Sequence, residues 1–180
     1  LEWIRKWELN APGMASPRLM EASALQDKGE FKQAVETLRK AWAKFPDDPS
    51  IPRALAQCAS RGGDFNLAAD IWWRLLDSEK ELAGQLAAIR ELAIIAQQSG
   101  GMQQLLAKLR TRMENSPKSI FPPLALAEAH RYTGNYEMRR AMLLKAAEMK
   151  GDDPAMLQEL ARVEEEEGDS VRALATLERA

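Results

Sequence analysis

The sequence predicts an all-α protein in which antiparallel helix pairs stack into a right-handed α-solenoid. Glycines recur at a nearly constant spacing, an alanine stands seven residues before each of them, and helix-forming residues dominate the stretches between them. The chain of 180 residues is long enough to bury a core, and its 46% of hydrophobic and 29% of charged residues are typical of an ordered protein.

Five glycines set the repeat period. They are separated by 34, 37, 34 and 34 residues, and they are Gly29, Gly63, Gly100, Gly134 and Gly168. Because glycine has no Cβ, it can end a helix in a positive-φ conformation, so we expect each one between the two helices of a hairpin. The three additional residues before the third glycine are expected in or beside residues 77–84, either in a loop or in the helix that follows.

The alanines indicate close contact between the helices of each pair, since a methyl group lets two antiparallel helices approach. They are Ala22, Ala56, Ala93, Ala127 and Ala161.

A mostly large residue two positions after each glycine is expected to open the second helix: Phe31, Phe65, Met102, Tyr136 and Ser170. Two core positions follow at an i, i+4 spacing. The first holds Ala34, Ala68, Leu105, Arg139 and Ala173, and the second holds Leu38, Trp72, Leu109, Leu143 and Leu177.

These residues resemble the tetratricopeptide repeat (TPR), in which a W-x-x-L-G-x-x-Y segment precedes A-x-x-x-F and a closing proline. The first repeat matches at Ala22, Gly29, Phe31, Ala34, Leu38, Ala41 and Pro46, and the last at Leu157, Leu160, Ala161, Gly168, Ala173 and Leu177. The tyrosine position holds other residues, namely Leu25, Ala59, Ala96, His130 and Glu164, and Arg139 stands where a small residue is expected. The resemblance implies a TPR-like superhelix of about five repeats, at residues 15–48, 49–85, 86–119, 120–153 and 154–180.

Residues 1–14 are expected to be the end of a preceding repeat or an N-terminal helix. Ile4 and Trp7 fall where second-helix core residues would, and Pro12 precedes Pro46 by 34 residues. Both ends of the chain therefore look cut from a longer array. Trp3 and Trp7 would then pack on the first full repeat or on a neighbouring molecule, which predicts possible self-association through truncated ends.

The sequence offers few groups for catalysis or metal binding. One histidine and one cysteine cannot form a conventional zinc cluster, so we predict no catalytic residue, no metal and no cofactor. His130 and Cys58 are expected to be structural. The acidic run 164–167 spreads over all faces of a helix, so it predicts a solvated helix end rather than an ion site.

The charge balance argues against nucleic-acid binding, because 25 lysines and arginines face 27 aspartates and glutamates, for a net charge of -2. The longest apolar run is too short to span a bilayer, so no membrane insertion is expected. The single cysteine leaves the compartment open, with a slight preference for the cytoplasm.

The resemblance implies a concave groove lined by the first helix of each pair. The candidate peptide-binding residues on those helices are Arg53, Gln57, Arg61, Arg90, Gln97, Arg131, Tyr132 and Arg162, and the same stripe contains Glu128 and Glu166. Arg53 and Gln57 form an i, i+4 pair, and Arg90 is expected beside them in the next repeat. Convergent donors of this kind would suit a carboxylate or an acidic segment. The alternative is that these are ordinary exposed arginines.

The expected function is a non-enzymatic protein–protein interaction module or scaffold that binds a protein or peptide in this groove, and the arginines favour an acidic one. One alternative is a helical accessory region of a larger enzyme, positioning a catalytic domain outside this chain. A second is helical-repeat RNA binding. That mode requires base-reading residues at repeated positions, and the groove positions here vary too much from repeat to repeat.

Overall fold

The computed structural model describes residues 15–151 and 153–180, and this part of the chain is helical with no strand. Its ten helices are α1 (Ser16–Asp27), α2 (Phe31–Lys44), α3 (Ser50–Arg61), α4 (Phe65–Ser78), α5 (Leu82–Ser99), α6 (Met102–Asn115), α7 (Phe121–Arg131), α8 (Tyr136–Met149), α9 (Pro154–Glu166) and α10 (Ser170–Leu177). They form five consecutive pairs, so the predicted all-α class of antiparallel helix pairs is confirmed. The predictions for residues 1–14, including those for Trp3, Trp7 and Pro12, lie outside the described residues.

The helices form two compact units, α1–α4 in the first and α5–α10 in the second. In the first unit each helix packs on the next one, and α1 also contacts α3. In the second unit the same succession runs from α5 to α10, and α5 also contacts α7. Within each unit the second helix of a pair therefore packs on the first helix of the next pair, which is how a helical solenoid builds a continuous core.

All five predicted turn glycines have positive φ values, between +64° and +82°. Gly100 has a φ of +74°. The backbone amide of the next residue, Gly101, donates a hydrogen bond of 2.8 Å to the carbonyl of Ala96. This bond satisfies a carbonyl that the end of α5 would otherwise leave without a donor. The predicted role of the glycines in ending the first helices is confirmed.

The five hairpin alanines are buried, with at most 3% of their surface exposed. The second helices begin at the predicted residues Phe31, Phe65, Met102, Tyr136 and Ser170. The predicted core positions are also buried except for Leu177, which is 44% exposed. The prediction for Leu177 is wrong because α10 packs on α9 with one face only, while its other face, which carries Val171 and Leu174, is exposed.

The three additional residues before Gly100 lengthen a helix rather than a loop. Helix α5 has 18 residues, whereas the other first helices have between 11 and 13. Only residues 79–81 separate α4 from α5. Of the two positions that the sequence left open, the structure selects the helix that follows the loop.

Glu164 overturns the prediction that residues 164–167 form a solvated helix end. Its side chain is fully buried, and its two carboxylate oxygens accept hydrogen bonds from Arg140 and Thr176. A buried carboxylate is tolerated when both oxygens have donors and a cation lies beside it. Glu165 and Glu166 are exposed, as predicted for the run.

In the second unit a buried aliphatic cluster joins α7, α8 and α9. Its members are Leu124, Ala127, Leu143, Ala146, Ala147, Leu157, Leu160 and Val163. Leu124, Ala127 and Leu143 of this cluster also line a hollow in the second unit. None of the described helices is long and apolar enough to cross a membrane.

Candidate functional site

A hollow of about 300 Å³ lies among α5, α7, α8 and α9 of the second unit. Its aliphatic lining consists of Leu86, Leu124, Ala127 and Leu143, and its charged lining of Arg90, Arg131, Arg139, Arg162, Glu128 and Glu159. We call it the arginine hollow. Six of the ten lining residues are charged, so the hollow would hold a ligand mainly through ion pairs and hydrogen bonds.

Arg139 lies on α8 and is only 4% exposed. Its Nη1 is 2.8 Å from Oε2 of Glu166, and its Nη2 is 3.0 Å from Oε1 of Glu159. The residue occupies a core position of its repeat, where a charge is costly unless opposite charges and hydrogen bonds accompany it. The two carboxylates, both on α9, supply that compensation, so Arg139 is tied to the neighbouring helix.

Arg162 adds a second set of bonds to the same two carboxylates. Its Nε donates to Oε2 of Glu159 over 2.9 Å, and its Nη1 contacts Glu166. Burial alone would raise the pKa of Glu159, but the hydrogen bond from Arg162 and the charges of Arg162 and Arg139 outweigh it, so the pKa is lowered. The hydrogen bond to Glu159 in turn raises the pKa of Arg162. These four side chains form one ionised network on α8 and α9.

A second, smaller group joins α5 to α7. Nε of Arg90 lies 2.9 Å from Oε1 of Glu128, and Nη1 of Arg131 lies 3.9 Å from the same oxygen. The hydrogen bond to Glu128 raises the pKa of Arg90. The side chains of Arg90 and Arg131 are 50% and 49% exposed, whereas that of Glu128 is 17% exposed. Two accessible guanidinium groups thus share one carboxylate.

Tyr132 and Gln97 lie next to this group but do not line the hollow. Nε2 of Gln97 donates to the carbonyl of Tyr132 over 3.4 Å, which links the ends of α5 and α7. Tyr132 is half-buried. Burial raises the pKa of its hydroxyl, and the negative charge of Glu128 raises this pKa further. Gln97 therefore contacts the end of α7 at the residue that follows Arg131.

The other three candidate residues lie on α3 of the first unit. Arg53, Gln57 and Arg61 are exposed, and their i, i+4, i+8 spacing places them on one face. Nη1 of Arg61 lies 3.4 Å from Oε1 of Gln26 on α1. The structure thus divides the predicted set: Arg90, Arg131 and Arg162 line one hollow, whereas Arg53, Gln57 and Arg61 belong to another unit. The predicted approach of Arg53 to Arg90 stays a prediction.

Arg139 and Glu159 line the hollow, and neither was among the residues predicted from the sequence. Arg139 was noted only as a departure from a small-residue position. A cation at a core position requires a carboxylate partner. That requirement could have directed attention to the acidic residues of the next helix, but it does not distinguish Glu159 and Glu166 from Glu164 and Glu165.

His130 and Cys58 are both buried, and neither lines the hollow. Nδ1 of His130 lies 3.3 Å from the hydroxyl of Thr133. Burial lowers the pKa of His130, and the charge of Arg110 lowers it further. Burial raises the pKa of the Cys58 thiol, whose sulfur lies 3.7 Å from the carbonyl of Phe31.

The helix pairs with glycine turns and small hairpin residues define a TPR-type helical-repeat fold, and solved structures confirm it. A tetratricopeptide repeat protein from Parabacteroides merdae aligns with 99% of this chain and 70% of its own, at 16% identity and a TM-score of 0.51. YrrB, a TPR protein with an unusual peptide-binding site, aligns with 98% of this chain and 89% of its own, at 12% identity and a TM-score of 0.50. No protein-family model matches the chain, and no curated protein matches it in sequence.

Proposed function

We propose that the chain is a non-enzymatic interaction module that binds an acidic segment of a partner protein in the arginine hollow. The observation that carries the proposal is the composition of this hollow, in which four arginines and two glutamates surround aliphatic side chains. The fold supports it, because helical-repeat proteins use their extended surfaces for binding, and YrrB is a TPR protein with a peptide-binding site.

The size and lining of the hollow define the segment that it fits. A volume of about 300 Å³ lies at the lower end of the range for ligand pockets, and it suits a few side chains rather than a whole domain. The lining has two more positive than negative side chains, which favours a ligand that carries carboxylates. The aliphatic residues beside them favour a ligand in which acidic and aliphatic side chains alternate.

A titration monitored by NMR tests this proposal on the full chain labelled with ¹⁵N. The probe is a capped peptide of alternating leucine and glutamate, and the reference peptide has glutamine in place of each glutamate. We expect the acidic peptide to shift the amide signals of α5 and α7, and its affinity to fall as the salt concentration rises. The reference peptide should bind at least about threefold more weakly, since it lacks charge-assisted hydrogen bonds.

Arg131→Gln and Arg110→Gln form a matched pair of variants for this titration. Both remove one exposed positive charge from the second unit, but only Arg131 lines the hollow. Arg131→Gln should weaken binding of the acidic peptide at least about threefold, and Arg110→Gln should leave it nearly unchanged. Equal effects of the two variants, or equal binding of the two peptides, would show that the hollow does not recognise carboxylates.

We also propose that the exposed face of α10 mediates self-association. Val171, Leu174 and Leu177 are 81%, 61% and 44% exposed, and their spacing of three residues places them along one side of the helix. A contiguous apolar face of this kind favours association. Light scattering should then show concentration-dependent oligomers for the unmodified chain and none for Leu174→Glu, whereas an unmodified chain that stays monomeric would exclude this role.

A further inference from the structure

We propose that Glu128 is a built-in competitor for the acidic ligand and sets the affinity of the arginine hollow. This inference rests on the proposed function. Glu128 is the only carboxylate that the structure places against Arg90 and Arg131 among the described ion pairs. It therefore occupies the two guanidinium groups that an incoming carboxylate would use.

The arginines of the hollow fall into two kinds. Arg139 and Arg162 share Glu159 and Glu166, which places two cations with two anions in one network. Arg139 is 4% exposed, and Arg162, although 45% exposed, already has two carboxylates against it. This network holds α8 against α9 and has no unbalanced charge to offer a ligand.

Arg90 and Arg131 differ from that network in their balance of charge. Both guanidinium groups are half-exposed, and Glu128 is the one carboxylate that forms a described ion pair with them, while the charge of Glu91 acts more weakly on Arg90. The contact from Arg131 is 3.9 Å long, so its nitrogen is available to a closer acceptor. The carboxylate-accepting part of the hollow is therefore the Arg90–Arg131 pair.

Glu128 opposes such a ligand in either of two ways. A ligand carboxylate that replaces it at Arg90 must break the 2.9 Å hydrogen bond. A ligand carboxylate that binds beside it instead meets a like charge a few ångströms away. The side chain of Glu128 is only 17% exposed and lines the hollow, so its negative charge lies near the ligand in both cases.

The test compares Glu128→Gln with Glu159→Gln, using the same alternating leucine–glutamate peptide and NMR titration. Both variants remove one carboxylate from the lining of the hollow and replace it with an amide of equal size. Glu128→Gln should bind the peptide about tenfold more tightly, the factor that corresponds to about 1.4 kcal/mol of relieved repulsion. Glu159→Gln should tighten binding by less than about threefold, because the carboxylate that it removes contacts Arg139 and Arg162 and not the Arg90–Arg131 pair.

Glu128→Asp provides a second variant that keeps the charge. It should bind the peptide within about twofold of the unmodified chain, since the competing carboxylate remains. A tenfold gain for Glu128→Asp would mean that packing rather than charge limits binding, and the inference would fail. Thermal unfolding of all three variants identifies any loss of the native fold, and amide signals from α7 report whether the helix is intact.

The results separate the two proposals. If the unmodified chain binds the acidic peptide and Glu128→Gln binds it no more tightly, Glu128 is not a competitor, and the proposed function stands. Equal gains in peptide affinity for Glu128→Gln and Glu159→Gln would mean that only the net charge of the hollow matters. That result would also overturn the role of Glu128. If neither the unmodified chain nor any variant binds the peptide, the proposed function itself fails.

Discussion

Nε of Arg140 lies 2.7 Å from Oε1 of Glu164, a carboxylate with no exposed surface. The other oxygen of Glu164 accepts a hydrogen bond of 2.7 Å from the hydroxyl of Thr176, which is also buried. These three residues belong to α8, α9 and α10 respectively. One carboxylate on α9 therefore connects the fourth hairpin to the second helix of the fifth.

Glu164→Ala is expected to destabilise the chain by about 3 kcal/mol. Removing one member of a buried ion pair leaves its partner without compensation, and the typical cost is about 3–5 kcal/mol. The lower value applies because the side chain of Arg140 is 26% exposed and keeps some contact with water. Urea denaturation monitored by circular dichroism measures the change in the free energy of unfolding.

Glu165→Ala is the matched control for this measurement. It is the next residue of the same helix, but its side chain is exposed. A surface substitution of this kind usually changes stability by no more than about 0.5 kcal/mol. Similar losses in both variants would contradict the role assigned to the Arg140–Glu164 pair.

The small residues of the hairpins predict a steric effect at Ala93. The Ala93 side chain is completely buried in α5. Ala93→Leu should destabilise the chain by about 1–3 kcal/mol, because added methylene groups in a close-packed core force neighbouring atoms apart. Ala87→Leu on the exposed face of the same helix should change the free energy of unfolding by less than about 0.5 kcal/mol. If both variants unfold at the same urea concentration, close helix contact is not the reason for alanine at this position.

Gly100 tests the backbone requirement of the hairpin turn separately from packing. Its φ is +74°, and a Cβ built on it would meet no atom within 4 Å. Gly100→Ala should therefore cost about 1–2 kcal/mol from backbone strain alone. Gly100→Asn should cost less, because asparagine adopts this conformation more readily. Thermal unfolding of the two variants measures the difference, and a smaller loss for alanine than for asparagine would contradict this explanation.

Local backbone and packing rules made most of the fold predictable. Each turn glycine must adopt a positive φ, and each hairpin alanine must let a neighbouring helix approach closely. Both residues therefore recur in every repeat, seven residues apart. The same rules could not decide whether the three additional residues lengthen a loop or α5, because either arrangement preserves the hydrophobic pattern around Ala93.

Charged core positions were the main source of error, because their partners lie in other helices. Glu164 belongs to an acidic run in which Glu165 and Glu166 are exposed, and its burial is explained by Arg140 on α8 and Thr176 on α10. Similarly, the sequence placed Arg90 and Arg131 on the predicted stripe but did not indicate that Glu128 already pairs with both. Ion pairs between helices depend on side-chain direction, which repeat spacing alone does not determine.

His130 predicts a pH dependence of stability in the near-neutral range. Burial, and secondarily the charge of Arg110, lowers its pKa below the ordinary value of 6.5. The unfolded chain therefore binds a proton more readily than the folded chain, so the free energy of unfolding should decrease as the pH falls below about 6.5 and should be unaffected above it. His130→Leu, which places at this position the residue type found at Leu25, should remove the decrease between pH 7 and pH 5. Urea denaturation of both chains across this range measures the two slopes, and equal slopes would show that another group is responsible.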